Sequence, residues 1–181
     1  MLKSNLEYDK NNLVFMKRML LSKEESNKYI KERKQSPCFI CEIVKGKPLR
    51  NKHYIIFENE KVIVFLSAFP THLGQTLVCP KQHVEQVAKE LNQEEYLNLQ
   101  KIIFKVSKAI QAVLKPERLY IASFGSQQMN KHVHFHIVPL PKGIPIDKQQ
   151  MAAMMFEEVG LLELTNDEWQ SLANKIRSQL Q

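Results

Sequence analysis

Apolar and polar residues recur with two different periods along the chain, and the changes of period mark out its elements. Charged residues dominate from about residue 11 to residue 34. That stretch lacks glycine and proline and carries Leu13, Met16 and Leu20 at helical spacing, which predicts an N-terminal helical extension. Ser22-Lys23-Glu24-Glu25 has the form of a capping box that restarts the helix, and Ser36-Pro37 breaks it. Residues 53–58, 61–67 and 75–80 read as strands, the first two joined by a tight turn around Asn59-Glu60. Asn92-Gln93-Glu94-Glu95 opens a long helix in which Leu99, Ile103, Val106, Ile110 and Val113 form an apolar stripe, ended by Pro116. Strands are predicted again over 119–124 and 132–138, joined by a polar loop from Gly125 to Asn130. The run from Pro139 to Pro145 is expected to leave the sheet in an extended path. A last helix starts at Thr165-Asn166-Asp167-Glu168 and should bury Trp169, Leu172, Ile176 and Leu180. Strands, a long helix, then strands predict an α+β domain, a mostly antiparallel sheet with helices on one face.

Length and composition narrow this picture little. At 181 residues and 44% hydrophobic, the chain has room for one domain with terminal additions. A net charge of +7 favours an anionic ligand such as a nucleotide, a nucleic acid or a membrane surface, although scattered lysines serve solubility equally well. No aromatic-basic motif supports nucleic-acid binding, so none is expected. The segment Met1–Glu7 lacks the apolar core of a signal peptide, and no run approaches the roughly 20 apolar residues that span a bilayer. No membrane association is therefore expected, and a cytoplasmic location is.

Three cysteines make no disulfide framework. Cys38 and Cys41 have the spacing of a zinc knuckle, which closes if two further ligands converge on it. A redox pair of the thioredoxin type should open a helix after a strand, whereas Pro37 follows a long predicted helix. Cys79, between Val78 and Pro80, reads as a buried strand residue.

The chemistry concentrates in His132-Val133-His134-Phe135-His136-Ile137-Val138. On a strand these imidazoles share one side while Val133, Phe135 and Ile137 share the other. Neighbours at i and i+2 lie roughly 6.5 Å apart and the outer pair about 13 Å apart, so one zinc can take two of the rings but not three. A neutral imidazole can attack phosphorus, donate a proton or hold a phosphate oxygen. No glycine-rich phosphate loop is present among only five glycines, which argues against kinases and ordinary ATPases.

The form His-apolar-His-apolar-His-apolar-apolar resembles the histidine triad family of nucleotide hydrolases and transferases. Cys38-Phe39-Ile40-Cys41, Val64-Phe65-Leu66 and the run from Gln75 through Thr76-Leu77-Val78-Cys79-Pro80-Lys81-Gln82 to His83 precede the triad and support the likeness. The resemblance covers about residues 37–140, leaving 1–36 as an N-terminal helical extension and 141–181 as a C-terminal loop and helix. It implies the meander sheet of that family, usually paired across a homodimer.

The resemblance also implies that His134 attacks the α-phosphate of a nucleotide and forms a nucleotidyl-histidine that water hydrolyses. His136, where related uridylyltransferases carry glutamine, implies a hydrolase. In metal-binding members the ligands after the cysteine pair are the histidines matching His83 and His132, which with Cys38 and Cys41 implies structural zinc. Dinucleoside polyphosphates and nucleoside phosphoramidates are the implied substrates.

Charge building on the α-phosphate calls for donors, and His136, Gln128 and the backbone amides around Gly125, Ser126 and Gln127 are the candidates. Phe65 is a candidate for the base pocket, although an aromatic in a strand is usually a core residue. Ser67 stands where the family has a ribose-binding acid, Gln75 where it has a histidine and Met129 where it has a hydroxyl residue. His72 is a possible stand-in near Gln75, or else a surface-loop residue. Two other functions compete: a nucleotide sensor or partner-binding protein without turnover, and a hydrolase whose strand histidines hold a catalytic ion.

Overall fold

The computed structural model describes residues 18–20, 22–47, 53–123, 130–154 and 159–180. Its centre is a five-stranded antiparallel sheet of β2 (Ile55–Glu58), β3 (Val62–Leu66), β4 (Thr76–Pro80), β5 (Arg118–Ala122) and β6 (Phe135–Leu140), in the order β2-β3-β4-β6-β5. Asn59 makes the first reversal. Its side-chain oxygen accepts the backbone N–H groups of Lys61 and Val62 at 2.9 and 2.7 Å, bonds that the ladder cannot supply at a turn. β3 and β4 are apolar at almost every position because both of their faces are covered.

The main core lies on one face. Val62, Val64, Leu66, Val78, Phe135 and Ile137 meet Leu99, Ile103, Val106 and Ile110 of α4 (Gln93–Leu114) and Trp169, Leu172 and Ile176 of α6 (Asn166–Ser178). Asn92 and Thr165 open these two helices with the capping boxes read in the sequence, through Glu95 and Glu168. Tyr54 holds the start of α6 by stacking on Trp169 at 5.8 Å and donating its hydroxyl to Asn166 Oδ1 at 2.9 Å. The α+β architecture, with its long helices on one face, is as expected.

The opposite face carries two smaller apolar patches. At one, Ile63, Phe65, Leu77 and Cys79 pack on Ile40 and Ile43 of α2 (Phe39–Val44). At the other, Val138 and Leu140 pack on Ile144, Val159 and the Ala152–Ala153 pair of α5 (Gln149–Met154), which follows a 3₁₀ turn over Ile146–Lys148. His136 lies opposite Leu77 across the sheet and two residues before Val138, so it stands between the patches. A short helix, α3 (Val87–Glu90), precedes α4.

Several expectations are corrected. Leu13 and Met16 lie outside the described residues, and the predicted helix does not run through Arg18–Met19, which form strand β1 against β7 (Leu161–Leu162). Pairing with a distant strand overrides local helical spacing there, and Leu20 is left 70% exposed. The helix proper is α1 (Lys23–Gln35), capped by Ser22 and Glu25 as read. The cysteine knuckle is a helical turn, with Cys38 at the cap of α2. Pro139 remains within β6, beyond the last pairing with β4 at Ile137, so its missing N–H falls where β6 has β5 alone as a neighbour. Among the described residues no helix is long and apolar enough to cross a membrane.

Candidate functional site

The histidine segment keeps strand-like alternation, although the paired strand begins only at Phe135. Before that point the chain bends toward the end of β4, and the Val133 N–H donates to Val84 O at 2.6 Å. Val133, Phe135 and Ile137 all reach the main core, which commits the histidines to the other side. The first ring thereby separates from the other two. His132 meets His83 at 4.8 Å between ring centres, and His134 meets His136 at the same separation.

His132, His83, Cys38 and Cys41 form one cluster, their ligand atoms within 4.8 Å of one another. His132 Nδ1 lies 3.4 Å from Cys38 Sγ and 3.6 Å from Cys41 Sγ, and His83 Nδ1 lies 3.2 Å from Cys41 Sγ. A tetrahedron with Zn–S of about 2.3 Å and Zn–N of about 2.0 Å has S···N edges of about 3.5 Å, so the donor set fits zinc in size as well as in chemistry. The outer nitrogens are also occupied: His132 Nε2–H donates to Pro80 O at 2.9 Å, and His83 Nε2 faces Glu85 Oε1 at 3.4 Å. Such partners fix both Nδ1 lone pairs toward the cluster centre. Burial and the adjacent Cys38 push the Cys41 thiol up to about 11, away from the reactive thiolate of a redox pair and in the direction a bound cation reverses.

His134 is built differently. Its Nδ1 donates to the backbone carbonyl of His132 at 2.7 Å, which leaves the lone pair on Nε2. Burial lowers its pKa below the ordinary imidazole value, so the neutral form, which has a lone pair to offer, prevails at neutral pH. His136 is held still more firmly neutral, its pKa pushed down to about 3 by burial and by His134. Its Nδ1 lies 3.3 Å from Gln75 Nε2.

Other predicted residues are less open. Phe65 is wholly buried between Phe39 and His53, at ring separations of 6.3 and 5.6 Å, and offers no surface of its own to a base. Ser67 is buried, its Oγ accepting the Phe69 N–H at 3.3 Å. His72 is not a surface residue; it is 1% exposed and bonded through Nε2 to Ala152 O at 2.8 Å. Gly125, Ser126, Gln127, Gln128 and Met129 lie outside the described residues. Thr71, which holds Gln75, lies in no motif read from the sequence, and Pro80, though part of the run before the triad, has a carbonyl that nothing in the sequence marks as the partner of His132.

Residues 49–143 match the HIT domain family model. An adenosine 5'-monophosphoramidase of Schizosaccharomyces pombe is 35% identical over 58% of this chain and 74% of its own length. An uncharacterized HIT-like protein of Saccharolobus solfataricus is 36% identical over 56% of this chain and 73% of its own. The crystal structure of a hypothetical histidine triad nucleotide-binding protein from Sulfolobus tokodaii superposes with a TM-score of 0.62 at 26% identity, covering 79% of this chain and 91% of that one. On this match and these likenesses, the chain belongs to the HIT domain family.

Proposed function

We propose that this protein hydrolyses a phosphoramidate or phosphoanhydride bond at the α-phosphate of a nucleotide through a covalent nucleotidyl-His134. The observation that carries the reading is the bond from His134 Nδ1 to His132 O, which aims a bare Nε2 away from the strand. In the first step the Nε2 lone pair forms a bond to phosphorus while the bond from phosphorus to the leaving amine or phosphate breaks, and the leaving group takes a proton from solvent. In the second step water attacks the same phosphorus and gives up a proton to solvent, the P–N bond to His134 breaks with its electron pair returning to Nε2, and the nucleoside monophosphate leaves. His136 serves as a donor to the charge that gathers on the phosphate oxygens.

The monophosphoramidase name of the fission-yeast relative supports testing phosphoramidates beside dinucleoside polyphosphates. Structural zinc on Cys38, Cys41, His83 and His132 suits the cluster geometry, since four protein ligands leave no open position for catalysis. A homodimer suits the sheet, where β5 is an edge strand with Ile121 48% exposed. A reducing, cytoplasmic setting suits three unpaired cysteines.

The test is intact-protein mass spectrometry after rapid quench with adenosine phosphoramidate and with diadenosine tetraphosphate, comparing the native chain with His134→Ala. A nucleotidyl adduct or a nucleotide product with the native chain, and neither with the variant, is expected. Turnover that survives the substitution would remove His134 as nucleophile, and tight nucleotide binding without adduct or product would favour a sensor.

A further inference from the structure

We propose that Gln75 is a positioning residue that dictates which ring nitrogen of His136 carries the proton, so that His136 meets the substrate as a donor through Nε2. The proposal deepens, and rests on, the reading of this face as a phosphate-transfer site. The orientation of the Gln75 amide is decided by chemistry. One end of it accepts the backbone N–H of Thr71 at 2.7 Å and the Thr71 hydroxyl at 3.1 Å, and a backbone N–H can only donate, so that end is Oε1. The end facing His136 Nδ1 at 3.3 Å is therefore the NH₂, which can only donate. His136 Nδ1 must then hold its lone pair, and in the neutral ring the proton sits on Nε2.

Turning the amide over would set N–H against N–H at Thr71, whereas at His136 the oxygen would simply draw the proton onto Nδ1, so the Thr71 end decides the orientation. Thr71 is 4% exposed and Gln75 7%, so little water could relieve that clash. His134, whose Nδ1 faces a carbonyl, is locked the other way round. Two rings 4.8 Å apart on one segment are thus fixed in opposite tautomers, one with a bare Nε2 for attack and one with Nε2–H for the phosphate oxygen. Glutamine does not titrate, so it holds this arrangement wherever the two rings are neutral.

The tautomers can be read directly by long-range ¹H–¹⁵N correlation spectra of the full ¹⁵N-labelled chain without substrate. His136 protonated on Nε2 and His134 on Nδ1 is the expected native result. In Gln75→Glu at mildly alkaline pH, the carboxylate should draw the His136 proton onto Nδ1, and kcat should fall about 100-fold with KM within about threefold, the size of losing one donor to a developing oxyanion. Gln75→Met, which can neither donate nor accept there, serves as a second variant; it should show both His136 tautomers where the native chain shows one. A native His136 protonated on Nδ1 overturns the proposal, as does a flipped tautomer with unchanged kcat. Because the native spectrum needs no turnover, a chain that cleaves no nucleotide would defeat the functional reading and still leave the role of Gln75 decided.

Discussion

Each imidazole of the triad has a fixed hydrogen-bond partner among its neighbours: Pro80 O for His132, His132 O for His134 and Gln75 for His136. Similar logic governs His72 outside the triad, where burial pushes the pKa from 6.5 down to about 4 while Nε2 is bonded to Ala152 O. In the unfolded chain this ring takes up its proton near 6.5, so between there and about 4 the unfolded state binds more protons. Stability is lost as pH falls through that window, by about 3 kcal/mol for this group, and falls no further on its account below it. Urea unfolding at about pH 7 and about pH 4.5 should show this loss, and His72→Gln, whose amide can keep the bond to Ala152, should reduce the slope. The alternation that singles out His132, His134 and His136 was legible in the sequence because a strand repeats every two residues. Not legible were the Pro80 carbonyl that holds His132 and Thr71 that holds Gln75, because these contacts form only when β4 and the loop after β3 fold back on the histidine segment.

At the level of elements, the helix starts were the most readable features, because a capping box is local and its geometry needs nothing from the rest of the fold. Ser22, Asn92 and Thr165 all accept from a glutamate N–H three residues on. Asn92→Ala should therefore cost about 1 kcal/mol in chemical denaturation and leave nucleotide turnover unchanged, since it loosens only the exposed first turn of α4. The pairing of β1 with β7 could not be read, because each strand has two residues and gains its identity only from the other. The start of β6 was read too early for a related reason: Val133 bonds to Val84 rather than to a ladder partner, and no periodicity encodes that bend.

In the whole molecule, segments outside the matched residues 49–143 are built into the site. Arg18 donates to Thr71 O at 2.8 Å, and Ala152 O accepts from His72 at 2.8 Å, so terminal segments brace the loop that carries Gln75. Cys38 and Cys41 likewise come from outside that span to meet His83 and His132 within it. If zinc sits there as structure, elemental analysis should find about one ion per chain, a chelator should abolish activity only as slowly as the chain unfolds, and Cys38→Ser should lower both metal content and the unfolding midpoint. Immediate loss on chelation would instead mark a catalytic ion.

His132 is the residue where these levels meet. Its ring lies against two sulfurs and its carbonyl receives the proton-bearing nitrogen of His134, so side chain and backbone of a single residue answer to different neighbours. Any tolerance in the placement of that ring is passed, across one peptide unit, into the aim of the Nε2 lone pair of His134. In the proposed reaction the cysteine cluster thus acts as a datum from which alignment is measured, and small errors in its assembly should be read as scatter in the angle of attack.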